Sequence, residues 1–181
     1  MSLVVDKIKC HHSSDSSDDI YLIIFRGSDI APFESNVGVV GPGATWADFE
    51  NGDERGTDVK VAGTMPGALY AVMMVEQDAS KNISGDAVIG AWRSLTNSIW
   101  KSTMLKFVAA GQDPTSPASG TEAFNVIKNT LNVLALIYRG DDDVIDVKRL
   151  NITSVGQEQM LEFFSPTNLE DARYNVWFKH V

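Results

Sequence analysis

Residues 69–90 read LYAVMMVEQDASKNISGDAVIG, and the change of pattern inside this stretch decides the fold. Its first part, as far as Glu76, is apolar at successive positions. A half-buried strand would alternate, so this run predicts a strand covered on both faces. The segment that follows, 77–85, is polar, and Ser84 is placed to cap a helix. From Asp86 the period becomes helical. Val88, Trp92, Leu95 and Ile99 fall at i, i+4, i+7 and i+11, with Trp100, Met104 and Val108 flanking them. That is an amphipathic helix with a wide apolar stripe, running to about residue 110.

The same apolar signature recurs upstream in residues 20–25, IYLIIF, directly after the acidic patch of residues 15–19. Residues 4–10 alternate, with Val4, Asp6, Ile8 and Cys10 on one side and Val5, Lys7 and Lys9 on the other, as an edge-like first strand. Residues 31–67 are dense in Gly and Pro, with short strands expected at 36–40 and 58–62. Trp46 and Phe49 lie three apart between them, either plugging the core or standing exposed as an anchor for a partner.

Downstream, residues 111–120 are a loop. A second helix begins at Thr121, with Phe124, Ile127, Leu131, Leu134 and Tyr138 at helical spacing. Residues 133–138, VLALIY, also read as a buried strand, so the helix is expected to end near Asn132. An acidic turn at 141–143 leads to a strand at 144–153, and residues 158–164 form a short helix or strand. The chain closes with a strand over 173–181 whose Tyr174, Val176 and Phe178 point inward. The whole is an α+β single domain over residues 1–181, a mainly antiparallel β-sandwich-like sheet with a helical hairpin inserted at about 86–132.

Composition narrows the function. The 181 residues carry a net charge of −9, with 44% hydrophobic and 22% charged residues. That balance argues against a nucleic-acid or anionic-membrane interface, which needs surplus Lys and Arg. The single cysteine, Cys10, rules out an internal disulfide. No apolar run is long enough for a transmembrane segment or a signal peptide, so a cytoplasmic location is the default expectation, and an extracellular one stays open. The sequence contains no G-x-S-x-G, no phosphate-binding loop and no H-E-x-x-H. Cys10 and His12, at i and i+2, are the beginnings of a zinc site without a third ligand nearby.

The acidic loops are the chemical signal. Asp15, Asp18 and Asp19 lie in one, Glu76, Asp78 and Asp86 in the second, Asp141, Asp142 and Asp143 in the third. If the loops meet at one end of the sheet, their carboxylates repel one another unless a cation sits among them. Ca2+ takes six to eight oxygens from loops of this kind. The alternative is that each Asp caps a helix, makes a turn or is solvated.

Asp19-Ile20-Tyr21-Leu22, following a Ser/Asp-rich loop, resembles the Asp-Pro-Tyr-Val segment of the calcium- and phospholipid-binding β-sandwich module of protein kinase C and synaptotagmin. Residues 75–78, VEQD, followed by 86–90, DAVIG, are similar to that module's apolar strand, paired-Asp loop and Ile-Gly. The resemblance spans residues 10–90 at most. It implies an eight-stranded sandwich whose loop tip gathers Ca2+, and it carries Asp18, Asp19, Glu76 and Asp78 as ligands. Asp142 joins them from the third acidic loop. The chain departs from the module in Ile20 for Pro, Glu76 for Asp, Ala87 at a ligand position, Ser13 at the place of the upstream Asp, and a long helix after Gly90. Three functions follow as expectations: a Ca2+-dependent binding module without catalysis, a structural subunit that self-assembles as a homo-oligomer, or a carboxylate-based hydrolase.

Overall fold

A computed structural model of the chain describes residues 2–14, 17–41, 46–61, 68–77, 86–138, 143–152, 154–165 and 172–181, with the backbone alone at Ala68, Asp86, Ala87 and Tyr138. In chain order the elements are β1 (Leu3–His12), β2 (Ile20–Ser28), β3 (Ser35–Val40), β4 (Glu54–Val61), β5 (Ala68–Glu76), α1 (Asp86–Ala109), α2 (Pro117–Tyr138), β6 (Asp143–Leu150), β7 (Glu158–Phe164) and β8 (Arg173–His180). The eight strands form two antiparallel sheets of four, ordered β4-β1-β8-β7 and β3-β2-β5-β6. The α+β, mainly antiparallel sandwich with an inserted helical hairpin is the architecture predicted from the sequence.

The doubly apolar strands explain the layering. β2 and β5 are neighbours in the middle of their sheet. Ile20, Leu22 and Ile24 of β2 and Tyr70, Val72 and Met74 of β5 face the other sheet, against Val5, Ile8, Phe163, Val176 and Phe178. The alternate residues Tyr21, Ile23, Phe25, Ala71, Met73 and Val75 face outward into a second core under the hairpin, against Trp92, Trp100, Met104, Phe107, Ile127 and Leu131. Three layers thus bury both faces of these strands, and an unbroken apolar run is the sequence that such a position demands. Among the described residues no helix covers the outer face of the first sheet. It carries ion pairs from Lys7 and Lys9 to Glu54 and from Arg173 to Glu162.

The hairpin is fixed by specific contacts. α1 packs on β3, and its side chains take up that strand's backbone groups: the Ser35 N–H donates to Asn97 Oδ1 at 3.1 Å, and Arg93 Nε donates to the Val37 carbonyl at 2.6 Å. This covers an edge that would otherwise be open for pairing. Trp100 lies flat against Gly27, where a Cβ would come within 2.4 Å of its ring. Its indole N–H donates to the Ser28 carbonyl at 2.9 Å. Thr96 and Thr103 face inward within α1 and return their hydroxyls to the Trp92 and Ile99 carbonyls, so neither leaves a buried donor idle.

Four expectations are corrected in detail. β1 is central, between β4 and β8, rather than an edge, and its alternation breaks at a bulge between Val5 and Lys7. Leu3 and Val5 therefore share the core with Ile8 and Cys10, although simple alternation puts Val5 on the opposite side from Ile8. α2 continues to Tyr138, and residues 133–138 are helix rather than strand. The buried stripe of α1 runs through Trp92, Thr96, Trp100, Thr103 and Phe107, so Leu95 and Val108 are exposed. Of the two readings of Trp46 and Phe49, the core plug holds and the exposed anchor for a partner is overturned, since both are buried; Trp92 and Trp100, on the inward side of α1, are buried as well.

Candidate functional site

Strand register brings the acidic segments together. Ile20 of β2 pairs with Glu76 of β5, and Glu76 pairs with Asp143 of β6. The segments that precede β2, follow β5 and precede β6 are therefore rooted side by side at one end of the three-layered sheet. The Gln77 N–H donates to the Asp19 carbonyl at 2.6 Å, extending the junction one residue past the strands.

The β1–β2 connection is held in place by its own carboxylates. Asp18 is only 1% exposed. The Ser14 N–H lies 3.0 Å from both of its oxygens, and the Ser14 hydroxyl is 2.9 Å from Oδ1. The Tyr174 hydroxyl donates to Oδ2 from the core side at 2.5 Å. Ser14 Oγ is also 2.6 Å from Glu76 Oε1. A hydroxyl carries one hydrogen, so it serves only one of these two carboxylates at a time.

The segment around Phe49 closes this end. Asp18 and Phe49 exchange backbone hydrogen bonds of 3.0 and 2.9 Å. The Asp48 N–H donates to Asp19 Oδ1 at 2.8 Å. Arg55 stacks over the Phe49 ring at 4.2 Å and donates to the Ala47 and Asp48 carbonyls. On the inner side the Phe49 and Tyr174 rings meet edge to face, their centroids 6.1 Å apart. Burial, then the bond to Asp18 and its negative charge, push the Tyr174 phenol far above its ordinary range, so it remains a donor.

The sequence-predicted site residues are distributed as follows. Asp18 is buried and accepts from Ser14 and Tyr174, which makes it the organiser of its loop. Asp19 and Glu76 are half-buried; the Ser14 hydroxyl links Glu76 to Asp18, Asp19 accepts from the Asp48 N–H, and among the described residues no three acidic, His or Cys side chains come close enough to hold a metal ion. Asp78 and Asp142 lie outside the described residues, as do Asp15, Asp141 and the capping Ser84. Asp143 is added by register, as the neighbour of Glu76. Cys10 and His12 do not converge: Cys10 is wholly buried beside Tyr174, and His12 is exposed. Burial holds the Cys10 thiol up, against an opposing hydrogen bond with Tyr174. Tyr174 and Ser14 are the members that the sequence did not single out. The one signal for Tyr174 was a phenol at an inward strand position, whose buried hydroxyl requires a partner.

No family model matches this chain, and no curated protein and no solved structure is significantly similar to it. Among the described residues no helix is long and apolar enough to cross a membrane.

Proposed function

We propose that the protein is a small acidic β-sandwich binding module whose acidic end takes up Ca2+ and engages a partner through it. The observation that carries this reading is the register Ile20–Glu76–Asp143, which roots three acidic segments next to one another. Asp19 and Glu76 supply the first oxygens, with Asp78 and Asp142 contributed from the adjoining loops. Asp18 holds the first loop in shape for them. Carboxylates that meet on adjoining loops repel one another, and a hard divalent cation offsets that repulsion while using several oxygens at once. The resemblance to calcium- and lipid-binding sandwiches points the same way.

Thermal melting with Ca2+, with Mg2+ and with EDTA tests it. Free Ca2+ at a hundredfold its dissociation constant adds about 2.7 kcal/mol of stability, a rise in Tm of several degrees. Asp19→Asn combined with Glu76→Gln abolishes that rise. A melt that does not move at millimolar Ca2+ sinks the proposal.

A second reading, a self-assembling subunit, is supported by the outward side of the hairpin. Leu136 and Ile137 near the end of α2 are 68% and 66% exposed, and Val133, Leu105 and Val108 are exposed on the same two helices. Apolar exposure of this kind marks association surfaces when it is contiguous. Light scattering across a concentration series distinguishes the two: a monomer at all concentrations removes the second reading and leaves the first intact.

A further inference from the structure

The end of the sheet opposite the acidic loops holds a different arrangement. There β2 runs out into Asp29, β5 begins, β6 ends at Leu150 and α2 starts at Pro117. These ends enclose a cavity of about 250 Å3. Leu69, Trp100 and Met104 line it and are all buried, giving it an apolar floor. Two charged residues of opposite sign, Asp29 and Arg149, line the same cavity. Among the described residues neither forms an ion pair, whereas Lys7, Lys128, Lys148, Arg55, Arg173 and Lys179 all do.

The Arg149 wall is positive twice over. Its guanidinium lies against the first turn of α2, with Nη2 only 2.8 Å from the position of a Cβ at Gly120, and it reaches Thr121 Oγ1 at 3.5 Å. The glycine makes room for it. No acidic residue stands in the first turn of α2, where the Ser116 hydroxyl accepts from the Ser119 N–H, so the helix N-terminus adds to the positive side of this wall. Asp29 has the reverse problem. Burial raises its carboxyl, and the charge of Asp113 adds to the effect.

We propose that this cavity binds a free α-amino acid with an apolar side chain. The carboxylate sits on Arg149 at the start of α2, the ammonium faces Asp29, and the side chain lies over Leu69, Trp100 and Met104. An anion alone or a cation alone leaves one of the two charges unmatched; a zwitterion answers both. The volume falls below the roughly 300–1,000 Å3 of pockets for drug-sized ligands, which suits a single amino acid rather than a peptide or nucleotide. Arg offers a two-pronged donor set for the planar carboxylate. The site is independent of Ca2+ and of the acidic end.

Calorimetric titration and thermal melts of the full chain with L-leucine, L-valine and L-methionine test the proposal, with N-acetyl-L-leucine and L-leucinamide as probes of each charge. Binding of at least one amino acid is expected, and removing either ligand charge weakens leucine by about tenfold or more. Asp29→Asn erases the penalty for acetylation, and Arg149→Met erases the penalty for amidation. The two derivatives are read on the wild-type chain first, so the test stands even if a variant folds poorly. No heat and no shift in Tm with any of the three amino acids at their solubility limits overturns the proposal. So does equal binding of leucine, its acetyl form and its amide.

Discussion

Replacing Tyr174 by Phe removes one oxygen and keeps everything else that the ring does. The ring is wholly buried, and its edge-to-face contact with Phe49 survives in Phe. What is lost is the hydrogen bond to Asp18 Oδ2, together with the phenol's hydrogen bond with the Cys10 thiol, which the double-mutant cycle with Asp18 leaves out of the coupling. A hydrogen bond to a charged group is worth about 1.5–3 kcal/mol, and Asp18 is buried, so water does not readily replace the missing donor. The expected cost is about 2–3 kcal/mol. For a chain of this length that lowers Tm by about 4–12 °C. Urea unfolding followed by circular dichroism measures it, with an unchanged m value showing that both states keep their compactness. The decisive form is a double-mutant cycle with Asp18→Ala, in which the coupling is about 1.5 kcal/mol or more. The phenol is held above its ordinary pKa, so its contribution is fully present below about pH 10 and is lost only as pH rises through the higher folded value. The gap between wild type and variant therefore stays constant through neutral pH. Additivity of the two substitutions within about 0.5 kcal/mol refutes the assignment of Asp18 and Tyr174 as partners.

Two further outcomes follow from the geometry. Gly27→Ala drives a methyl into the Trp100 ring, which its bond to Ser28 and its contact with Phe25 hold in place, so a loss of about 1–3 kcal/mol is expected; a Tm within a degree of wild type shows that the hairpin shifts freely instead. In acid, Asp53, Glu54, Asp58 and Asp113 have carboxyls held below their usual range, by Arg55, Lys7, Lys179 and the Thr115 N–H respectively. A lowered folded pKa contributes stability above the unfolded value, so Tm is level down to about pH 5 and falls below about pH 4, while a Tm that holds level to pH 3 counts against these pairings.

The middle of the fold was legible because β2 and β5 carry their double burial in their composition. Ile20–Phe25 of β2 has no polar position to turn toward water, so a layer on each side is the arrangement its side chains require. Simple alternation fails in β1 because Asp6 occupies a bulge, and a one-residue insertion reverses the phase of alternation without changing which residues are apolar. Residues 133–138 suit either a strand or a helix. The helix prevails because Ile127, Leu131, Leu134 and Ala135 continue one buried stripe, and extending a helix already formed needs no new nucleus. That the acidic segments are rooted at one end of the sheet follows from strand register, which composition does not encode. The bond from Tyr174 to Asp18 spans 156 positions, a separation at which local pattern carries no information.

The placement of the hairpin in the chain has a mechanical consequence. α1 begins after the segment that follows β5, and α2 ends before the one that precedes β6, so both covalent attachments of this layer lie at the acidic end. Among the described residues the far turn, between Ala109 and Pro117, makes no backbone hydrogen bond to the sheet, and the layer is held near it by the buried side chains of Trp100, Met104 and Phe107. The layer is tied covalently at one end and held along its length by its buried core and by the bonds of Asn97 and Arg93 to β3. Cutting the chain in that turn leaves both halves of the layer still tied to the sheet. A substitution that loosens Trp100 is therefore felt at the end of the layer that has no covalent tie to the sheet, next to the cavity that Leu69, Trp100 and Met104 line.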